Sequence, residues 1–522
     1  MVGLLAHGLL LLNDGLYWDD WLLYPQLQQH DWTSVNALVR EAGMTPVIAG
    51  FNDLFAFTPG GVVAFKLAVI LLLLVAAVAV YMIALEAGLG RLPAWLLAAL
   101  SMTFPGFQDW VLLATAASVF DYALFMVATW LLLYAERADP RRRLWLRVLA
   151  IAGFALSFSL NSVLTLYFGS LLLLLVVALR TASLKQLVRA RWLYAVGLLL
   201  LPFAYWVASR QLFKPSGLYA GFNAVGFVPL TIVRSYRSFA TNGIGEQLWQ
   251  SSAVLLRPWT WAFIVAVLGV VGFAWRRRQA PQAQSLSAAT MGLGVGLFAL
   301  GLAVLPYAVV GDAPSIHGWD TRHDLLVSVP LAALLVSAVA LAFRRGRSAW
   351  LGAGLLGLVV VGFSGAGIQD YAALQARWAT DRAVMDQLRS DPTARGYSIF
   401  WVDDRAPGPE DYYRFYEWSA MFKQVYGDQG HIGLDIRANN SGILSATQYF
   451  NDRYDLAGFD PHGCQADLTI ERGPGASTTA QVALDYTFYR LLQPQKLDEY
   501  LRGLVQVKIV PRATADATDC VS

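Results

Sequence analysis

Charge is scarce in this chain. Of 522 residues only 14% are Asp, Glu, Lys or Arg, 39 basic against 36 acidic, for a net charge of +3. So mild a balance argues against a nucleic-acid partner, which needs a concentrated basic surface. Cysteine is nearly absent. Cys464 and Cys520 are the two in the sequence, too few for a thiolate zinc cluster. Their spacing leaves a disulfide and two unpaired thiols equally open. Histidine is also rare, with six in all, and only His431 and His462 lie in the C-terminal third. Without further ligands nearby they do not make a metal site. No internal repeat is visible by eye. The first apolar run has neither a basic n-region nor a small-residue cleavage site, so a cleaved signal peptide is not expected.

What the chain has instead is hydrocarbon. It is 57% hydrophobic, with a mean hydropathy of +0.48. Apolar runs such as Leu67 to Val80 and Leu171 to Leu179 sit in stretches long enough for the ~30 Å core of a bilayer. Spans are predicted at about 2–13, 62–85, 93–108, 112–135, 145–160, 163–180, 192–209, 255–275, 287–309, 325–343 and 348–367, roughly eleven helices. The first is short for a span, so the true start is expected further upstream. One alternating set of loops carries the arginines: Arg91; Arg137, Arg141, Arg142, Arg143 and Arg147; Arg180, Lys185, Arg189 and Arg191; Arg276, Arg277 and Arg278; Arg344, Arg345 and Arg347. By the positive-inside bias those loops and the N-terminus are cytoplasmic, and the tail lies outside. The expected location is the inner membrane of a bacterium, with the tail in the periplasm.

Composition changes sharply near Gly365. Residues 368–522 are polar and mixed, enough for one small domain. Helical spacing is read over Asp370 to Arg389 and Tyr412 to Tyr426, with strands over Tyr397 to Val402 and Val505 to Val510. The fold class is therefore mostly α: a polytopic helix bundle, 1–367, with a C-terminal extracytoplasmic α/β domain, 368–522. Asp31 to Glu41, with Thr33 as N-cap, reads as a short helix on the membrane surface. The acidic pair Asp403 and Asp404 reads as a turn.

The most telling motif is Trp18-Asp19-Asp20-Trp21, just after the first apolar run. Carboxylates at the mouth of a membrane helix cost desolvation that water, partners or function must offset. The tryptophans suit the lipid–water boundary. Asp109, in PGFQDW, lies at the outer end of the third span. A carboxylate there suits a general base toward a hydroxyl, or a divalent cation; the plainer alternative is a helix cap or a solvated side chain. Cations on the same side are few: Lys214, Arg234, Arg237, Arg322 and His323. Arg322, before the tenth span, stands at headgroup depth, where it meets phosphate or serves as an interfacial anchor. For Lys214, Arg234 and Arg237, charge facing water is the simpler account. Asp121, inside the fourth span, is either functional or hydrogen-bonded to Ser118 or another helix. Lys66 is expected to snorkel.

This layout resembles the GT-C superfamily of integral-membrane glycosyltransferases. The shared features are the acidic pair after the first span, a second acidic residue in the next outward loop, an Arg before a late span, the many-helix body and the outward tail. The resemblance implies a polyprenyl-phosphate-linked sugar as donor and an inverting transfer outside the cytoplasm. It implies Asp19 as base with Asp20 as its neighbour and substitute, Asp109 in the second acidic position and Arg322 on the donor phosphate. Some members use a divalent cation, Mg or Mn, and others none. No WWD-like signature of the oligosaccharyltransferases occurs in the tail, which favours transfer of a single sugar. The acceptor is a glycan, a glycolipid or a protein. Three other readings compete: a transporter, a lipid-headgroup transferase with its chemistry in the tail, and a non-catalytic envelope assembly protein.

Overall fold

The computed structural model describes residues 2–56, 61–180, 183–216, 219–220, 226, 228–276, 286–343, 348–406, 413–427, 430–438, 440, 443–444, 459–475 and 477–512. Each stretch predicted as a span contains helix, although 104–108 of the third and 112–115 of the fourth are not helical. In chain order the helices of this part are α1 Val2–His7, α2 Asp20–Gln28, α3 Trp32–Glu41, α4 Pro46–Ala56, α5 Gly61–Glu86, α6 Arg91–Thr103, α7 Ala116–Ala135, α8 Pro140–Ser157, α9 Val163–Ala178 and α10 Leu184–Leu212. There follow α11 Pro229–Ser238, α12 Gln247–Val254, α13 Trp261–Arg276, α14 Leu286–Val310, α15 Ser328–Ala342 and α16 Ser348–Ser390. Six helices among the described residues are long and apolar enough to cross a membrane on their own: Gly61–Glu86, Ala116–Ala135, Trp192–Leu212, Ala288–Val310, Trp319–Ala342 and Ser348–Ser390. A pair bent by 82°, Pro229–Val254 with Pro258–Phe273, makes a seventh if it counts as one span. The other predicted spans are shorter or more polar helices: α6 has 13 residues, α9 has 16, and α8 opens on three consecutive arginines. This is the helix content of a multi-pass membrane protein.

Contacts divide the chain into two compact units. The first holds Met1–Gly8, Trp32–Trp110 and Thr115–Ile368; the second holds Leu9–Asp31, Val111–Ala114 and Gln369–Ser522. The second unit therefore contains the acidic pair as well as the tail.

The first unit is a helical bundle. Asp139 caps α8 through Arg142 N, and Ser183 closes a capping box on Gln186 at the start of α10. These side chains satisfy N–H groups that the first helical turn leaves without partners. Lys66 is only 1% exposed, so it does not snorkel. Asp121 accepts a 2.6 Å hydrogen bond from Ser159 Oγ, just past α8, and not from Ser118. Between the first apolar run and α5 lie three helices, α2, α3 and α4. Thr33 lies inside α3 and not at its cap, while Val35 and Val39 are buried.

The second unit is a four-stranded sheet with helices. Its strands are β1 Ile399–Asp404, β2 Ile432–Asp435, β3 Gln465–Arg472 and β4 Val505–Pro511, in the order β2-β1-β3-β4. β1 runs parallel to β2 and β3, pairing Ile399 with Ile432 and Val402 with Leu468, and β4 closes the sheet antiparallel to β3. Helix α17, Phe415–Tyr426, is the crossover between β1 and β2. Phe422 stacks on Phe400 of β1 at 4.5 Å. A Cβ at Gly433 of β2 would lie 2.3 Å from Trp418 Cβ, so glycine lets the helix approach the strand. The helix read over Asp370 to Arg389 is not separate from the last span: α16 continues through it to Ser390. Asp403 and Asp404 end strand β1 and do not form a turn. Cys464 is disulfide-bonded; Cys520 lies outside the described residues.

Candidate functional site

Asp19 precedes α2 in the N-cap position, yet its side chain makes no capping hydrogen bond. The residue before it, Trp18, has φ 47°, a region that bulky L-residues rarely enter and that costs energy to hold. That turn is over-determined by its neighbours. Asn13 Oδ1 accepts from Gly15 N at 3.0 Å, and Asn13 Nδ2 donates to Tyr17 Oη at 2.9 Å. Tyr17 Oη donates to Leu374 O at 2.7 Å. Tyr486 Oη donates to Asp14 Oδ2 at 3.0 Å, and Arg490 forms an ion pair with Asp14. Trp18 and Trp21 are buried, and Trp21 packs on Trp378 with centroids 5.8 Å apart. The tryptophans are therefore core residues of this unit and not an interfacial belt: their role is to clamp the turn.

The turn gives the two carboxylates different surroundings. Asp20 is fully buried, and its Oδ1 accepts from Ala114 N at 3.0 Å. Asp19 is half-buried, and its Oδ1 accepts from Tyr416 Oη of α17 at 2.9 Å. Tyr416 Oη in turn accepts from Arg414 at 3.1 Å. Arg414 N donates to Glu417 Oε2 at 2.7 Å. Glu417 is fully buried, and its other oxygen has no hydrogen-bond partner. Burial pushes the Glu417 carboxyl up to about 8, against the weaker pull of its Arg414 hydrogen bond. Burial also raises the Tyr416 phenol, with the nearby Asp19 carboxylate adding to it. The phenol thus stays a donor. Beside this chain, Arg377 meets Asp381 at 3.0 Å and Asp404 at 2.5 Å, and Tyr413 Oη donates to Asp381 at 2.6 Å. Sequence reasoning missed Tyr416, Arg414 and Glu417. The one available signal was the aromatic and charged density of Tyr413-Arg414-Phe415-Tyr416-Glu417.

The remaining candidates belong to the first unit. Asp109 is fully buried, and its Oδ1 accepts from Thr321 Oγ1 at 3.2 Å. Gln108, beside it, bonds Ile316 O, His317 and Gly318 N. The PGFQDW segment is thus laced to the loop before α15, and this joins Asp109 to the segment carrying Arg322 and His323. The Arg322 guanidinium lies over the Trp319 ring at 4.3 Å and 3.7 Å from Asp320, and it is partly exposed. His323 is buried against Tyr307, its Nδ1 3.3 Å from Ala313 O and its Nε2 3.9 Å from Asp312. Burial raises the Asp312 carboxyl against the pull of Arg322. Lys214, at the end of the α10 segment, and Arg234 and Arg237 of α11 are exposed, with no carboxylate partner among the described residues. Asp324, the residue after His323, is fully buried, with no hydrogen-bond partner on either oxygen among the described residues. A Cβ at Gly243 would lie 2.5 Å from its Oδ1, and one at Gly106 would lie 3.3 Å from its Oδ2. Gly243 belongs to a π-helical stretch, Phe239–Glu246.

Among the described residues no three or more His, Cys, Asp or Glu side chains gather as a metal-ligand group.

No family model matches the chain, and no curated protein matches it in sequence. Among solved structures it is similar to the crystal structure of ArnT from Cupriavidus metallidurans bound to undecaprenyl phosphate, at 12% identity and a TM-score of 0.38, over 91% of this chain and 92% of that one.

Proposed function

We propose that the chain is a membrane glycosyltransferase of the GT-C type. It moves a single sugar from a polyprenyl-phosphate-linked donor to an acceptor hydroxyl outside the cytoplasm, on a glycan, a glycolipid or a protein. The observation that carries this reading is Asp19: a half-buried carboxylate on a strained turn, held by one phenol and spent on no helix cap.

In this reading Asp19 takes the acceptor proton as the acceptor oxygen attacks the anomeric carbon. The bond from that carbon to the phosphate oxygen breaks in the same step, and the lipid phosphate leaves with the electron pair. Attack opposite the leaving group inverts the anomeric centre. Arg322 is assigned to the donor phosphate, because a planar guanidinium matches two phosphate oxygens and offsets the growing charge. Its stacking on Trp319 pre-orders the fork. Lys214, Arg234 and Arg237 supply further positive charge for an anionic donor. Asp109 and His323 set the loop that carries Arg322. Asp20 is assigned to the scaffold and not to proton transfer. The bilayer confines the donor to two dimensions and lowers the entropic cost of encounter. Membrane orientation follows the arginine-rich loops, with the N-terminus cytoplasmic and the tail periplasmic.

The test is direct. The purified protein in nanodiscs is offered polyprenyl-phosphate-linked sugars with membrane extract as acceptor. Transfer of label from donor to acceptor, with release of the lipid phosphate, is the expected result. Failure to consume any such donor, with the protein folded, contradicts the proposal.

A further inference from the structure

Helices α5, α6, α7, α9, α14 and α15 of the first unit line a half-open cavity of about 120 Å³ with an almost wholly apolar wall. Small residues make the room, among them Ala84, Gly169, Gly296 and Ala333. Two of the hydroxyls in its wall, those of Thr129 and Ser170, already engage each other. Thr129 Oγ1 donates to Phe125 O at 2.9 Å and lies 3.0 Å from Ser170 Oγ. Water needs two to four polar partners to occupy such a space, and this wall offers few. Hydrocarbon suits it: the space is somewhat smaller than the roughly 150 Å³ that holds benzene, room for a few methylenes of a longer chain.

One end of the cavity is bounded by Ala87, Leu89 and Met291, in the turn after α5 and the first turns of α14. Arg180, which follows α9, stands at that end. Its Nη2 donates to Ala87 O at 2.5 Å and lies 3.7 Å from Met291 Sδ. Arg180 is exposed, and no described carboxylate pairs with it. The neighbouring Arg137 differs, since it is compensated by Glu86 at 3.0 Å. Apolar space with an uncompensated guanidinium at its mouth is complementary to a chain with a phosphate at one end, and Arg is the side chain that grips phosphate in two-point fashion. Basic pockets between membrane helices take anionic lipid headgroups on the same grounds. This mouth lies by the start of α6, whereas Asp109 follows its far end. The 13-residue helix makes them about 20 Å apart along its axis.

We infer that this cavity is a binding site for an anionic glycerophospholipid, with part of one acyl chain between the helices and the phosphate on Arg180. The site is separate from the proposed sugar transfer and does not depend on it.

The test uses the full chain in nanodiscs of phosphatidylcholine doped with phosphatidylglycerol. Lipids retained on release are counted by native mass spectrometry. The wild type should keep phosphatidylglycerol over phosphatidylcholine. Arg180→Gln should lower that preference about tenfold, the scale of one charge-assisted bond. Ala333→Leu, which fills the cavity, should reduce retention of both lipids. Melting in phosphatidylcholine alone checks folding. If Arg180→Gln fails that check, Arg180→Lys decides, since it keeps the charge and should keep most of the preference. Equal retention of the two lipids by the wild type overturns the inference. So does an unchanged preference in Arg180→Gln, a lost preference in Arg180→Lys, or displacement of phosphatidylglycerol by polyprenyl phosphate.

Discussion

Asp19 and Asp20 are adjacent in sequence and opposite in circumstance. Asp20 is sealed against Ala114 N, and Asp19 is reachable and held by Tyr416. A donor that holds a base in place without burying it contributes mainly to the transition state. Tyr416→Phe, which deletes only that hydroxyl, is expected to lower kcat about tenfold with KM nearly unchanged. A purely structural role would instead lower the melting temperature and leave kcat alone. Glu417 yields a second prediction. Its folded carboxyl keeps its proton to about pH 8, while the unfolded chain loses it near 4.5. The folded state therefore binds more protons across that window, so stability falls as pH rises from 4.5 to 8 and is flat above. Glu417→Gln, which cannot ionise, should flatten that slope and raise the melting temperature at pH 8. The stabilisation is on the order of a few kcal/mol at most. An unchanged melting profile in Glu417→Gln contradicts the assignment.

At the scale of elements, the sequence was legible where hydropathy is monotonous and illegible where it changes. The drop near Gly365 looked like the end of a helix. In fact α16 runs on, because Leu374, Trp378, Val384 and Leu388 take over as a buried stripe once the lipid-facing run ends. Strand β2 has only four residues, all buried, with no alternation to read. The π-helical stretch Phe239–Glu246 also left no signal. Its Gly243 is chosen by Asp324, a residue 81 positions away in sequence whose carboxyl fills the space a side chain would need. Gly243→Ala should therefore displace Asp324 or its own turn and destabilise the protein by about 1–3 kcal/mol, read as a lower melting temperature. Gly245→Ala, with nothing closer than 3.1 Å to its added Cβ, should cost less. Equal effects would mean that the Asp324 contact does not constrain this element.

At the scale of the whole molecule, the acidic motif was visible because carboxylates are expensive beside hydrocarbon. Its support was not, since Tyr416 is 397 residues further along the chain. The tryptophans that seemed to mark the membrane surface instead brace the turn, because the unit they belong to includes the tail. The arginine-rich loops predict an orientation that labelling can read. A cysteine at Ser477 should react with an impermeant reagent added from outside, and one at Arg141 should not. The reverse pattern would invert the membrane assignment and with it the side on which transfer is proposed.

Asp19 as the base is the central claim, and turnover of a lipid-linked sugar donor by the wild type, Asp19→Asn and Asp20→Asn tests it. Asp19→Asn keeps the size of the side chain and an acceptor for Tyr416 but removes the proton acceptor. General-base catalysis supplies about 10²–10⁴-fold in rate. Asp19→Asn should lose turnover of that order while the folded protein still binds donor. Asp20→Asn keeps an oxygen for Ala114 N and should stay within a few-fold of wild type. Near-normal turnover by Asp19→Asn, or a larger loss in a fully folded Asp20→Asn, would contradict the account.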